Sequence, residues 1–221
     1  MTRPPEGLLR RVPRQERGHE RVDRLLDAAA EVIAEVGVEA ATTNAIAARA
    51  KTSVGSLYQF FPNKDALVRA LAARYNGELR QINDQTMPVN PSYTSVEELV
   101  DRIMTPFAQF YMDNPAYRHV YHALHNPGGP SGEEDELHRV IVSRAELILA
   151  SRAPQEVPEQ RRMQATVAVL TAHALLGFAM TASPQTRDGI IVELKRALVA
   201  YIKDVTNVSP LVSRLLSTDP S

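Results

Sequence analysis

Residues 42–65 read TTNAIAARAKTSVGSLYQFFPNKD, and this stretch decides the fold. Thr42 or Thr43 can cap a short helix that carries Ile46, Ala47 and Ala50 inward, and Ser53 can cap a second one carrying Leu57 and Phe61. Three to four residues separate them. That is the spacing of a helix-turn-helix, in which the second helix enters the DNA major groove and the first braces it. The second helix opens Ser53-Val54-Gly55-Ser56. Small side chains there let backbone N–H groups and the helix dipole meet a phosphate, and let the chain approach base edges. Tyr58, Gln59 and Phe60 follow on the side expected to be exposed. A Gln can read adenine through paired hydrogen bonds, and a Tyr hydroxyl can reach a phosphate. Lys64 opens the next helix as a further cation, and Asn63 caps it.

Charge around the motif fits that reading. The chain has 221 residues with 25 basic and 26 acidic side chains, a net charge of −1. Residues 1–75 carry 12 basic and 9 acidic groups, while 76–221 carry 13 and 17. Ala40 to Lys64 holds no carboxylate but contains Arg49, Lys51 and Lys64, as a surface facing phosphates requires. With no Cys there is no disulfide framework, thiolate metal site or cysteine nucleophile. The Arg-rich first 20 residues lack the apolar run of a signal peptide, and no uncharged stretch is long enough to span a bilayer, so a cytoplasmic protein is expected.

Outward from the motif the periodicity is helical almost throughout. Val22, Leu25, Leu26, Ala29, Ile33 and Val36 form one apolar stripe that Gly37 stops. A long helix runs from Asn63 to about Gln85. Ser95 and Glu98 make a capping box for a helix ending near Asn114. Ala116–His125, Glu133–Arg152, Glu159–Ser183 and about 187–205 follow, with NPGGPSG as the clearest break. The expected fold is all-α with about nine helices. The division expected is a flexible basic arm (1–19), a DNA-binding domain (20–75), a ligand-binding and dimerisation domain (76–206) and a tail (207–221).

The stretch resembles the DNA-binding domain of the tetracycline-repressor family. Thr42-Thr43, Ile46-Ala47, Ser53, Gly55, Leu57-Tyr58, Phe60-Phe61, Lys64 and Leu67 stand at that family's spacing, after an amphipathic helix ending in Gly37. The match covers about residues 20–75. One departure is Lys51, where the family often has a glycine with positive φ; Lys51 must bear that conformation or the turn must adjust, and its charge can add a phosphate contact. The resemblance implies that Thr43, Ser56, Tyr58 and Lys64 sit at phosphates and that Val54, Gly55, Ser56 and Gln59 lie near bases, with Lys51 and Ser53 at the same surface. Tyr58→Ala and Lys64→Ala are then expected to weaken operator binding without unfolding the chain. The N-terminal arm, with Arg3, Arg10, Arg11, Arg14 and Arg17, either reaches a minor groove or is a solvated tail.

The family also implies a homodimer on a near-palindromic operator, a small-molecule effector, and no cofactor. Helices at about 159–183 and 187–205 are the expected dimer interface, with Ala165, Ala168, Ala172, Ala174 and Ala179 permitting close approach. Phe107, Phe110, Tyr111, Tyr117 and Tyr121 crowd five aromatics into 15 residues. The candidate effector site takes Met104, Phe107, Tyr111, Tyr121, His122, His173 and Phe178, suiting an apolar or aromatic molecule with one or two polar groups. His119, His122 and His125 do not suggest a metal, since six residues turn through about 600° on an ideal helix. No GxSxG, P-loop or GxGxxG is present, so catalysis is not expected. The function read from the sequence is a repressor released by its effector. An activator of the same fold, a helical enzyme and a protein-interaction module are the alternatives.

Overall fold

A computed structural model describes residues 16–87, 92–124 and 133–207, with the backbone alone at 133–137. Among these residues every regular element is an α-helix: α1 (Glu16–Ala40), α2 (Thr43–Arg49), α3 (Val54–Phe60), α4 (Lys64–Thr86), α5 (Val96–Asp113), α6 (Tyr117–Leu124), α7 (Glu133–Arg152), α8 (Pro158–Ala179) and α9 (Pro184–Asn207). The chain is therefore all-α, with nine helices among the described residues. None of them is long and apolar enough to cross a membrane. The arm expected over residues 1–19 gives up its last four residues to α1, and residues 1–15 lie outside the described part, as do the NPGGPSG loop and the tail beyond Asn207.

Local chemistry places the helix ends. Gly37 interrupts α1 with φ +78° and ψ 168°, a conformation open to glycine, and its carbonyl accepts from Ala41 N at 3.2 Å. Asn63 Oδ1 caps α4 by accepting from Ala66 N at 2.8 Å. Ser95 Oγ caps α5 by accepting from Glu98 N at 3.1 Å. α8 opens on Pro158, whose missing N–H costs nothing at a first helical position.

The chain forms two compact units. The first is Met1–Ile82 with Gln109–Leu137, and the second is Asn83–Ala108 with His138–Ser221. The boundary expected after residue 75 does not coincide with this division. In the first unit α1 packs on both α2 and α6. Its core joins Val22, Leu25, Leu26, Ala29 and Ile33 of α1 to Leu67 and Leu71 of α4, all buried. An aromatic cluster completes it. Tyr75 meets Phe110 and Tyr117 edge-on, with ring centroids 6.0 and 5.7 Å apart, and Tyr111 meets Tyr117 at 5.1 Å. Such pairs contribute roughly 0.5–1.5 kcal/mol each beyond the area they bury. Burial pushes the Tyr75 hydroxyl up to about 12 and holds the Tyr111 hydroxyl well above its ordinary value, so both stay neutral. In the second unit α8 packs along α9, and Val142, Leu149, Ala165 and Val205 form an apolar cluster supported by Val169, Tyr201 and Ile202.

Candidate nucleic-acid interface

The two short helices lie where the sequence puts them. Thr42, extended at φ −118°, caps α2 by accepting from Ala45 N at 3.1 Å, and Ser53 caps α3 by accepting from Ser56 N at the same distance. Each cap satisfies one of the donors that a helix start leaves open. Ile46 and Ala47 anchor α2, and Leu57, Phe60 and Phe61 anchor α3 and its exit, all buried. Phe60 was expected on the open side; it is 7% exposed. α3 is only seven residues long, and Phe61 beyond it is extended at φ −118°, ψ 119°, so adjacent rings can both turn inward.

The turn between the helices resolves the question of Lys51. It takes the left-handed conformation itself, with φ +53°. Lys51 N donates to Ala48 O at 3.1 Å and Thr52 N to Ala47 O at 2.9 Å. These are the two bonds of a Schellman motif, which closes the C-terminal carbonyls of α2 and usually places glycine at the left-handed position. A lysine there carries roughly 1 kcal/mol of strain.

The exposed side of α3 is small and polar. Gly55 and Gln59 are exposed, Val54 and Ser56 half-exposed, and Tyr58 is 39% exposed. A Cβ built on Gly55 would have only Ser53 Oγ within 4 Å, at 3.9 Å. Nothing in this chain therefore requires glycine there. Tyr58 Oη and Thr43 Oγ1 share a hydrogen bond of 3.2 Å, which ties α3 to the start of α2 and orients the Tyr hydroxyl. Both residues were named from the sequence, but their pairing was not, because they stand 15 positions apart with no local signal.

The cations divide differently from the sequence reading. Arg49 reaches back to α1 and pairs with Glu31 at 3.0 Å and Glu35 at 2.8 Å. The hydrogen bond from Arg49 holds the Glu35 carboxyl below its ordinary range, and the two carboxylates raise the arginine in turn. The stretch from Ala40 to Lys64 is free of acids in sequence, yet α1 brings two of them to its arginine. Lys64 is half-buried, and Nζ donates to Val38 O at 2.9 Å and Glu39 O at 3.0 Å. It closes the C-terminal end of α1, where a cation is favoured by the helix dipole. Its removal acts on the scaffold as well as on any phosphate. The Lys51 side chain is exposed and makes no hydrogen bond or ion pair among the described residues.

The seven residues expected around an effector fall in different places. Tyr111, Tyr121 and His122 belong to the first unit, and Met104, Phe107, His173 and Phe178 to the second. Met104 and Tyr111 are buried, Phe107, Tyr121 and His173 half-buried, and His122 exposed. His119 is half-buried, with Nδ1 3.6 Å from where a Cβ on Gly37 would stand. Phe178 is 61% exposed. It continues a stripe of Met163, Val167, Leu170 and Ala174 along α8, spaced by three and four residues and open to solvent. Ala165 and Ala179, by contrast, are fully buried within the unit. A cleft of about 740 Å³ lies between α5 and α9, walled by Val100, Val199 and Ala197 with Asp101, Lys195 and Lys203 at its edge. None of the seven expected residues lines it.

Comparisons with known proteins agree with this architecture. Residues 25–71 match the family described as bacterial regulatory proteins, tetR family, and residues 95–202 match the tetracyclin repressor-like C-terminal domain. The HTH-type nicotine-responsive transcriptional repressor HdnoR of Paenarthrobacter nicotinovorans is 28% identical over 181 residues, 76% of this chain and 89% of its own length. An HTH-type transcriptional regulator of Bacillus subtilis, YvkB, is 36% identical over 63 residues, 28% of this chain and 33% of its own. Among solved structures, a TetR-family transcriptional regulator from Streptomyces coelicolor superposes with a TM-score of 0.57 at 28% identity, covering 84% of this chain and 99% of that one. The Bacillus subtilis regulator FadR in complex with stearoyl-CoA has a TM-score of 0.62 at 16% identity, covering 85% and 99%, and shares the fold.

Proposed function

The chain belongs to the tetracycline-repressor family of transcriptional regulators, and on that premise we propose a repressor that binds its operator as a homodimer and leaves it when a small molecule binds. The observation that carries this reading is the α2–α3 pair. Its apolar side chains are buried, its caps are satisfied, and it leaves Gly55, Ser56, Tyr58 and Gln59 outward around an open backbone. In this reading Ser56, Tyr58 and Lys51 meet phosphates, Thr43 orients the Tyr58 hydroxyl, and Val54, Gly55, Ser56 and Gln59 face base edges. Ser53 holds the start of α3, and Lys64 holds α1, through which its effect on DNA passes.

The dimer is supported by the stripe on α8. Met163, Val167, Leu170 and Phe178, together with Val192 of α9, expose large apolar surface on neighbouring helices. A second copy covers such a face and presents a second α3 to a half-site one helical turn, about 34–36 Å, or a multiple of it away. Phe178 is then an interface residue rather than part of an effector site. The nicotine response in the name of HdnoR supports control by a small molecule. The effector in this reading has an apolar or aromatic body. The regulator acts in the cytoplasm and performs no catalysis.

Release follows from linkage. An effector that favours a DNA-incompetent arrangement of α4 lowers operator affinity, and DNA must lower effector affinity by the same factor. Genome-wide binding followed by gel shifts on the recovered sites tests the reading. It predicts a near-palindrome bound by two copies, with affinity falling steeply as salt rises. Retention that ignores sequence, or an effector that leaves the operator dissociation constant unchanged, refutes it.

A further inference from the structure

Folded chains rarely leave a buried donor without an acceptor, because the lost water is not replaced. Asn83 on α4 is 8% exposed, and its side-chain amide nitrogen is shielded from solvent with no hydrogen-bond partner. Arg144 on α7 pairs through Nη2 with Asp84, the next residue along α4, while its Nη1 is buried and unpartnered too. Both belong to the second unit. The hydroxyl of Thr86, also buried, is directed at the Asn83 backbone carbonyl at 3.4 Å, not at the side-chain amide. On the same helix as Arg144, Val142, Ala145 and Leu149 belong to the apolar cluster with Ala165 and Val205.

Two unmet donors, one on Asn83 and one on the arginine that pairs with the next residue of α4, each call for an oxygen with free lone pairs. We propose that Asn83 and Arg144 form the polar end of an effector site and take a carboxylate, sulfonate or carbonyl oxygen on an otherwise apolar molecule. This rests on the ligand-responsive reading above and gives it a chemistry. Asp84 already balances the charge of Arg144, so an anion and a neutral carbonyl both satisfy the pair. None of the residues picked from the sequence for the effector site carries this donor set. Asn83 lies in a helix that reads as ordinary amphipathic α-helix, and Arg144 looks like one more surface arginine.

The test uses the full chain and three naphthalene dyes of similar size. They are 1-anilinonaphthalene-8-sulfonate, the neutral ketone 6-propionyl-2-dimethylaminonaphthalene, and N-phenyl-1-naphthylamine, which has no oxygen acceptor. Asn83→Leu is expected to weaken the sulfonate or the ketone at least about 10-fold while changing the third dye less than twofold. Which of the two responds identifies the site as anion- or carbonyl-selective. Asn83→Leu is also expected to melt a few degrees above the wild type, because an unmet donor is replaced by a methyl group. Asn83→Ala, which opens space instead of filling it, is expected to show the same dye selectivity should leucine not fit. Equal affinities in variant and wild type, no signal from the wild type with either oxygen-bearing dye, or melting several degrees lower for Asn83→Leu overturns the proposal. Melting lower means that a buried water already serves the amide. Gel shifts on the same proteins separate the two levels. Loss of specific DNA retention by the wild type refutes the regulator reading, whereas intact retention with unchanged dye binding refutes only the effector chemistry.

Discussion

The helix pair α2–α3 and the helix pair α8–α9 both keep a face open to solvent, but the two faces are built from different residues. On α3 the open positions are Gly55, Ser56, Tyr58 and Gln59, small or hydrogen-bonding. On α8 they are Met163, Val167, Leu170 and Phe178, large and apolar. A folded chain gains nothing from either choice alone. Exposed Phe178 forgoes roughly 1.5–3 kcal/mol of burial, and exposed Gly55 costs roughly 0.5–1 kcal/mol of helix stability relative to alanine. The difference between the faces is what the proposed partners rest on. Apolar area asks for protein, and a bare backbone flanked by hydroxyls and an amide asks for phosphates and base edges.

The largest effect is expected on the apolar face. Leu170→Glu combined with Phe178→Glu places four carboxylates in the interface of a dimer. The loss of burial and the cost of burying charge together exceed about 5 kcal/mol, or more than a thousandfold in the dimer dissociation constant. Sedimentation equilibrium is expected to show a folded monomer, and gel shifts a loss of operator affinity of more than about 100-fold, because one α3 reads too few bases. A double variant that stays dimeric assigns the stripe to something other than a second copy and breaks the comparison on that side.

Next in size is Tyr58→Phe. It removes one oxygen, the one shared with Thr43 at 3.2 Å, and leaves the ring in place. A hydrogen bond to a charged phosphate contributes about 1.5–3 kcal/mol, so operator affinity is expected to fall at least 10-fold while the melting temperature moves by no more than a few degrees. Thr43→Val then adds little in the Tyr58→Phe background, because its hydroxyl acts by orienting the one already removed. Full additivity of the two substitutions in a double-mutant cycle shows instead that each meets DNA independently.

How far these faces were legible in the sequence follows from the range of the interactions that form them. The α2–α3 pair could be read because its signals are local. Thr42 and Ser53 lie three positions from the amides they cap, and the buried Ile46, Ala47 and Leu57 fall in order along two turns. Lys64 and Arg49 were harder, since their partners are Val38, Glu39, Glu31 and Glu35, between 14 and 26 positions earlier. Only the return of α1 alongside α2 and the start of α4 brings those groups together. The exposure of Phe178, grouped with the effector residues from the sequence, was hard to read for another reason. α8 is alanine-rich and weakly patterned, so its buried Ala165 and Ala179 and its exposed Phe178 look alike in sequence. The unmet amide of Asn83 was invisible, because a missing partner exists only once every neighbour has a position.

Gly55→Ala probes the comparison from the side of stability. The chain leaves room for the added methyl, with one neighbour at 3.9 Å, so the variant is expected to gain about 0.5–1 kcal/mol, measured by urea unfolding. Operator affinity is expected to fall several-fold, because the methyl stands where the backbone approaches DNA. Opposite signs in the two measurements mark a position kept for a partner. A gain in stability with unchanged affinity removes α3's N-terminal turn from the interface.

The smallest and most specific test is Lys51→Gly. The left-handed φ of +53° is strained for lysine and relaxed for glycine, so the substitution is expected to stabilise the fold by up to about 1 kcal/mol. Glycine's greater freedom in the unfolded chain offsets part of that gain. The Schellman bonds of Lys51 N and Thr52 N are unaffected, because they use only the backbone. What is lost is an exposed ammonium that no carboxylate engages. If it neutralises one phosphate in each half-site, the plot of log affinity against log salt becomes shallower by about 1.8 for a dimer, at 0.9 per phosphate. Arg49→Gln is the matched control, since Glu31 and Glu35 already hold that charge and its salt slope is expected to stay near the wild-type value. If Arg49→Gln flattens the slope and Lys51→Gly does not, the arginine leaves its carboxylates for DNA, and the unpaired lysine stands in the turn without meeting a phosphate.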